Sequence, residues 1–215
     1  MRSSSPAHRA PRLCRAFTSA LPVEHAAIST LGDPFEVETV CSTDRLAARL
    51  DELQLDYGEG PCWQARATRT AVLLPDLQSP LAPAWPVVQA AIASHEIRAA
   101  YAFPMTIGTL AIGAVDLYAA APDALSQTDV ATASAMADAA AITVLRHAMA
   151  HRDDSAGENP SSRRIVHQAT GMVMAQMHIP PADALLVIRA HAFAAGLSVH
   201  EVATDIVERR LDFSA

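Results

Sequence analysis

The polar stretch HRDDSAGENPSS, residues 151–162, interrupts two apolar-periodic regions of this chain that differ in character. Before it, short β-type runs alternate with helical segments. After it, the apolar spacing is helical throughout. The stretch itself is polar and carries Gly and Pro, the composition of a linker. A length of 215 residues fits one or two domains, and 51% hydrophobic against 18% charged residues is ample for packed cores. The expected organisation is a disordered basic N-terminus at 1–9, an α/β (α+β) domain at 10–150 ending in a long helix, a linker at 151–160, and a small all-α domain at 161–215.

In the C-terminal part, Ile165, Ala169, Met172 and Val173 recur at helical spacing before Gln176 breaks the apolar run, and Ser161 or Ser162 can cap the helix. Pro180 and Pro181 end that helix and open a second, whose apolar face is Leu185, Ile188 and Ala192. Gly196 closes it. Ser198 and Glu201 have capping-box spacing, so a third helix follows and buries Val199, Val202, Ala203 and Ile206. Three short helices then share one core. Gly171 lies inside the first, where Gly costs about 1 kcal/mol relative to Ala, which predicts close helix packing or close approach by a ligand.

An aliphatic pair, Q-A-x-G-x-x-M and then A-x-x-x-x-R occur here as Ile165, Val166, Gln168, Ala169, Gly171, Met172, Met174, Ala184 and Arg189. In order and spacing the segment 161–213 resembles the ANTAR family, RNA-binding domains of bacterial transcription antiterminators. The resemblance implies a hairpin RNA in a nascent transcript as partner. On a helical wheel Arg163, His167, Thr170 and Met174 share one stripe, expected opposite the core, so Arg163, His167 and Thr170 form a candidate polar surface. Arg189 falls at the edge of the second apolar face, where its guanidinium can reach phosphate or a base, and Arg209 and Arg210 are further candidates. Many ANTAR sequences carry Lys at the position of Thr170, so one cation is missing. Residues 161–215 hold five Arg and five acidic residues, which excludes a bulk basic footprint.

Upstream, strands are expected at Ala26 to Leu31, Glu36 to Cys41, Ala71 to Leu74, Ala99 to Met105 and Ala111 to Tyr118, with helices at Arg12 to Ala20, Asp44 to Gln54 and Val87 to Ser94. Gly108 and Gly113 are expected to bracket a short connection between the last two strands, which makes that pair antiparallel. Ser126 and Asp129 have N-cap and N3 spacing for a long helix whose Val130, Ala133, Ala137, Ala140, Val144 and Ala148 form one seam. That seam can pack on its own sheet or on the same helix of a second subunit. The segments LCRAFTSALPVEHAAIST, LQLDYGEGPCWQA, VLLPDL, Trp85 with Pro86, and AFPMTIGTLAIGAVDLY resemble the GAF domains that precede ANTAR modules in actinobacterial proteins. GAF domains are sensors and dimerisation units with a pocket on one sheet face. The resemblance implies a small-molecule ligand and a homodimer, but its occupant and any cofactor stay unknown.

Cys62, held by Gly58, Gly60 and Pro61 where a helix begins, has three readings: a redox-sensing thiolate favoured by the helix N-terminus, a small apolar residue packed under the loop, or a catalytic thiol like those of GAF-type methionine sulfoxide reductases. Cys14, Cys41 and Cys62 have neither CxxC spacing nor an even count, so reduced thiols are expected, with no zinc site and no disulfide framework. His147 and His151 stand four apart without an HExxH motif and read as solvated imidazoles. GEGPC lacks the residues of a phosphate loop, and no nucleophile triad is identifiable, so no catalytic residue is assigned. The net charge of −7 leaves no long basic patch, and all sixteen basic residues are Arg, as in proteins of high-GC bacteria. No run reaches signal-peptide or membrane-spanning length, so a cytoplasmic location away from membranes is expected.

Overall fold

Two neighbouring strands with apolar residues on both faces, β4 (Ala99–Ile107) and β5 (Leu110–Ala119), form the centre of an antiparallel sheet. With β1 (His25–Thr30), β2 (Glu38–Ser42) and β3 (Val72–Leu74) the order is β2-β1-β5-β4-β3. This computed structural model describes residues 10–79, 85, 88, 89, 92, 96–152, 162–195, 197 and 199–214. The chain divides into two compact units, Met1–Ser155 and Ala156–Ala215.

Side-chain alternation in β5 decides which layer each helix joins. Val115 and Leu117 face one cluster that contains Cys14 and Phe17 of α1 (Ala10–Ala20) and Ala133, Ala137, Ala140 and Val144 of α4 (Gln127–Arg152). Ala114 and Tyr118 face the other way, toward α2 (Arg45–Tyr57) and α3 (Pro61–Thr68). The sheet is therefore covered on both sides. Asp44 caps α2 by accepting from the amides of Leu46 and Ala47, both at 2.9 Å, and Gly58 ends it at φ 67°. Ser126 and Asp129 exchange the reciprocal bonds of a capping box at the start of α4. The helix expected over Val87 to Ser94 lies outside the described residues, apart from Val88, Gln89 and Ile92.

Of the two packings open to the α4 seam, Ala133, Ala137, Ala140 and Val144 take the one on their own sheet, while Ile142 and Met149 are 45% and 62% exposed. Two expectations change. Gly108, at φ 59°, does open the two-residue turn between Ile107 and Leu110, but Gly113 lies inside β5. A Cβ there would stand 1.8 Å from the carbonyl oxygen of Ser29, so Gly113 is what lets β1 and β5 approach. The thiols differ most: Cys14 and Cys41 are joined as a disulfide with Cα atoms 6.1 Å apart. The spacing of 27 residues hides this pair, because it is the crossing of α1 over edge strand β2 that brings them together.

In the C-terminal unit α5 (Ser162–Met177), α6 (Pro181–Ala195) and α7 (Val199–Val207) bury Val166, Ala169, Val173, Ala184, Ile188, Ala192, Val199, Val202, Ala203 and Ile206. Gln176 turns inward to accept the amide of Phe213 at 3.2 Å, and Phe213 stacks edge-on against His191. Ser198, the expected third cap, lies outside the described residues. Among the described residues no single helix is long and apolar enough to cross a membrane.

Candidate functional site

Between the sheet and the α2–α3 layer of the N-terminal unit lies a buried polar network. Asp51 and Gln54 project from α2, one turn apart, and both are fully buried. Ser29 donates to Asp51 at 2.6 Å from β1, and Thr39 donates to it from β2. Gln54 uses all of its amide: Nε2 donates to Asp116 at 3.1 Å and to the Tyr118 hydroxyl at 3.0 Å, while Oε1 accepts the amide of Cys62 at 3.0 Å. The Gln54 carbonyl also accepts from the indole of Trp63 at 2.9 Å. One side chain thus ties α2 to β5 and to the start of α3.

Burial raises the Asp116 carboxyl well above the usual range, and the neighbouring Asp51 charge raises it further, while the bond from Gln54 offsets part of the rise. Asp51 receives two hydroxyl donors, from Ser29 and Thr39. Tyr118 is pushed up by burial and then by Asp116 and Asp51. Cys62, fully buried on the same side, is pushed well above the normal thiol range by burial, then by the Asp116 and Asp51 charges. This outweighs the helix N-terminus that would favour a thiolate. A protonated, water-excluded sulfur supports the packed reading of Cys62 and not the sensor or catalytic ones.

Sequence inspection passed over Asp51, Gln54 and Asp116. The signal was present at Asp116, a lone carboxylate within an apolar strand buried on both faces.

On the C-terminal unit the candidate RNA-binding residues separate. His167 and Gln168 are exposed on α5, and Gly171 beside them is exposed with nothing within 4 Å of a built Cβ. The expectation that helix packing requires this glycine therefore fails within the unit. Thr170 is half-buried and donates to the Val166 carbonyl at 2.7 Å, and Met174 packs on the core, so neither lies opposite it as expected. Val166, Ala169 and Val173 draw the core toward that side of the helix. The side chain of Arg163 lies outside the described residues, one turn before His167. Arg189 is half-buried beside Ile188, as its place on the wheel implies. Ala169 and Ala184 are buried, while Met172 packs on the core.

Arg209 is exposed, whereas Arg210 is engaged by Asp205, with Nε at 2.7 Å from Oδ1, and by Glu208. Arg210, Asp205 and Glu201 line a groove of about 380 Å³ with Leu197, His200 and Thr204. Its two carboxylates make it a poor seat for phosphate.

Family comparison agrees with this division. A GAF domain model matches residues 5–144 and an ANTAR domain model matches residues 156–207. Among solved structures, a domain of a putative two-component sensor histidine kinase from Sinorhizobium meliloti 1021 is 14% identical at TM-score 0.55, covering 72% of this chain and 100% of that one. The photoproduct state of GAF3 from Slr1393 of Synechocystis sp. PCC6803 is 14% identical at TM-score 0.52, covering 69% and 98%. A type II free methionine-R-sulfoxide reductase from Thermoplasma acidophilum, 16% identical over 63% of this chain and 89% of its own, reaches only 0.46, too low to carry an argument about activity. No curated protein matches the chain. These similarities show the fold at its N-terminal end, and with both family matches the chain belongs to the GAF and ANTAR domain families, a regulatory pairing of a sensor domain with an RNA-binding type of output domain.

Proposed function

We propose that this protein is a cytoplasmic, signal-responsive transcription antitermination regulator: the GAF domain takes a small-molecule or redox input, and the ANTAR domains of a homodimer bind hairpin RNA in a nascent transcript. The observation that carries the RNA assignment is the open face of α5 at Gly171, beside exposed His167 and Gln168, in the segment the ANTAR domain model matches. A helix-interior glycine facing solvent costs stability, and close approach by a partner accounts for it. Arg163 and Arg189 are the candidate cations before and after Gly171 in sequence, and exposed Arg209 adds one after α7. Ile142 and Met149, seven residues apart on α4, offer a second subunit its apolar contact. Input shifts the population of dimer geometries, and the favoured geometry presents two ANTAR domains to paired hairpins.

Titration of full-length protein with hairpin RNA at increasing salt tests this. Binding that weakens with salt, and that Arg189→Ala weakens while the unfolding transition stays in place, is the expected result. Equal binding to duplex DNA, or no binding to any hairpin from the protein's own transcripts, contradicts it.

A further inference from the structure

The Cys14–Cys41 bond occupies a position that the buried Cys62 does not. It joins α1, the first described element, to β2, an edge strand of the sheet. Both sulfurs belong to the apolar cluster that also holds Phe17 of α1 and Ala133, Ala137, Ala140, Ala141 and Val144 of α4. The helix that ends at the boundary with the second unit therefore packs on the same core that the bond closes. Cys14 is fully buried and Cys41 is 8% exposed, so Cys41 presents the more accessible sulfur. Cys62 lies in a separate cluster with Leu31, Leu55 and Ala114, remote from exchange with this pair.

We propose that Cys14 and Cys41 are a reversible thiol–disulfide switch whose co-reactant is a low-molecular-weight thiol and its disulfide. In the reducing direction, a small thiolate attacks the Cys41 sulfur. The Cys14–Cys41 bond breaks, Cys14 leaves as a thiolate and takes a proton, and a mixed disulfide remains on Cys41. A second small thiolate attacks the outer sulfur of that mixed disulfide and releases Cys41, which is protonated in turn. The net change is one protein disulfide and two small thiols converted to two protein thiols and one small disulfide, and oxidation is the reverse.

Release matters because α1 is only eleven residues long, below the length at which a helix persists in water, so without the bond its attachment to the sheet rests more heavily on its apolar face. Reduction then lowers the free energy of local opening at α1 and loosens the packing under α4. The switch deepens the input side of the proposed regulator and rests on the sensor role of the first unit, but not on what the second unit binds.

The test equilibrates full-length protein in reduced and oxidised glutathione at graded ratios, alkylates it, and follows each cysteine and backbone hydrogen exchange by mass spectrometry. Expected is one two-electron transition of Cys14 with Cys41, an unmodified Cys62, and exchange roughly tenfold faster in α1, with faster exchange in α4, on the reduced side. Cys14→Ala should accumulate glutathione on Cys41, whereas Cys41→Ala should leave Cys14 unmodified. The double variant should exchange like the reduced protein at every ratio. A pair that stays in one state across all ratios, or exchange in α1 and α4 that is identical in both states, overturns the switch. If the pair titrates and α4 responds while hairpin binding stays constant, the switch stands and the regulatory reading fails.

Discussion

Gln54 donates its side-chain amide to Asp116 at 3.1 Å, across 62 residues of sequence, and this contact pins α2 to the central strand β5. Gln54 also satisfies the Tyr118 hydroxyl and the Cys62 amide, so Gln54→Leu leaves several buried polar groups without their partner. A loss of about 2–4 kcal/mol is expected in urea unfolding of the N-terminal unit, concentrated at this one side chain.

Asp116 carries a pH signature. Its carboxyl is raised by burial and by Asp51, so folding favours its protonated form. The stabilisation is complete below the unfolded carboxylate pKa of about 4 and is lost as pH rises toward the raised folded value. Asp116→Asn removes that dependence. The variant should therefore gain on the wild type as pH goes from 5 to 8, read as the difference between the two urea midpoints, and a constant difference would show that Asp116 does not titrate in this way.

Two glycines should respond oppositely to alanine. At Gly113 the new methyl meets the Ser29 backbone carbonyl, so Gly113→Ala should separate β1 from β5 and cost at least about 3 kcal/mol, or prevent folding of that unit. At Gly171 the methyl meets open space, so Gly171→Ala should stabilise the C-terminal helices by about 1 kcal/mol. Its hairpin affinity should nonetheless fall. Thermal unfolding combined with binding separates these effects, and a Gly171→Ala protein that binds as the wild type does would remove α5 from the RNA surface.

Two arginines are compared by replacement with Ala. Arg210 is paired with Asp205 and Glu208, and its replacement should change hairpin affinity by less than about twofold. Arg189→Ala should weaken hairpin affinity by about tenfold. Parallel titrations at one salt concentration check the contrast.

Local rules recovered the elements: short β-type runs bounded by turns located the five strands, and Ser126 with Asp129 marked the start of α4. Contacts made only by the folded topology stayed hidden. Cys14 and Cys41 are 27 residues apart with no motif between them, and Asp51, Gln54 and Asp116 converge from a helix and a strand whose spacing encodes no shared site. The wheel of α5 placed Thr170 and Met174 opposite a core of Ile165, Ala169, Met172 and Val173, whereas Val166 is buried as well and Ile165 and Met172 are only partly so, which turns the core face toward Thr170. Gly171 was legible as unusual, but only the structure distinguished open surface from close packing.

Crosslinking of the full-length protein to RNA in its own cells, followed by sequencing of the bound fragments, tests the proposed role most directly. The expected result is enrichment of transcript segments with paired hairpins that overlap a terminator, reduced when Arg189 is replaced by Ala. Fragments no richer in such hairpins than the total RNA, or enrichment of DNA in their place, would contradict it.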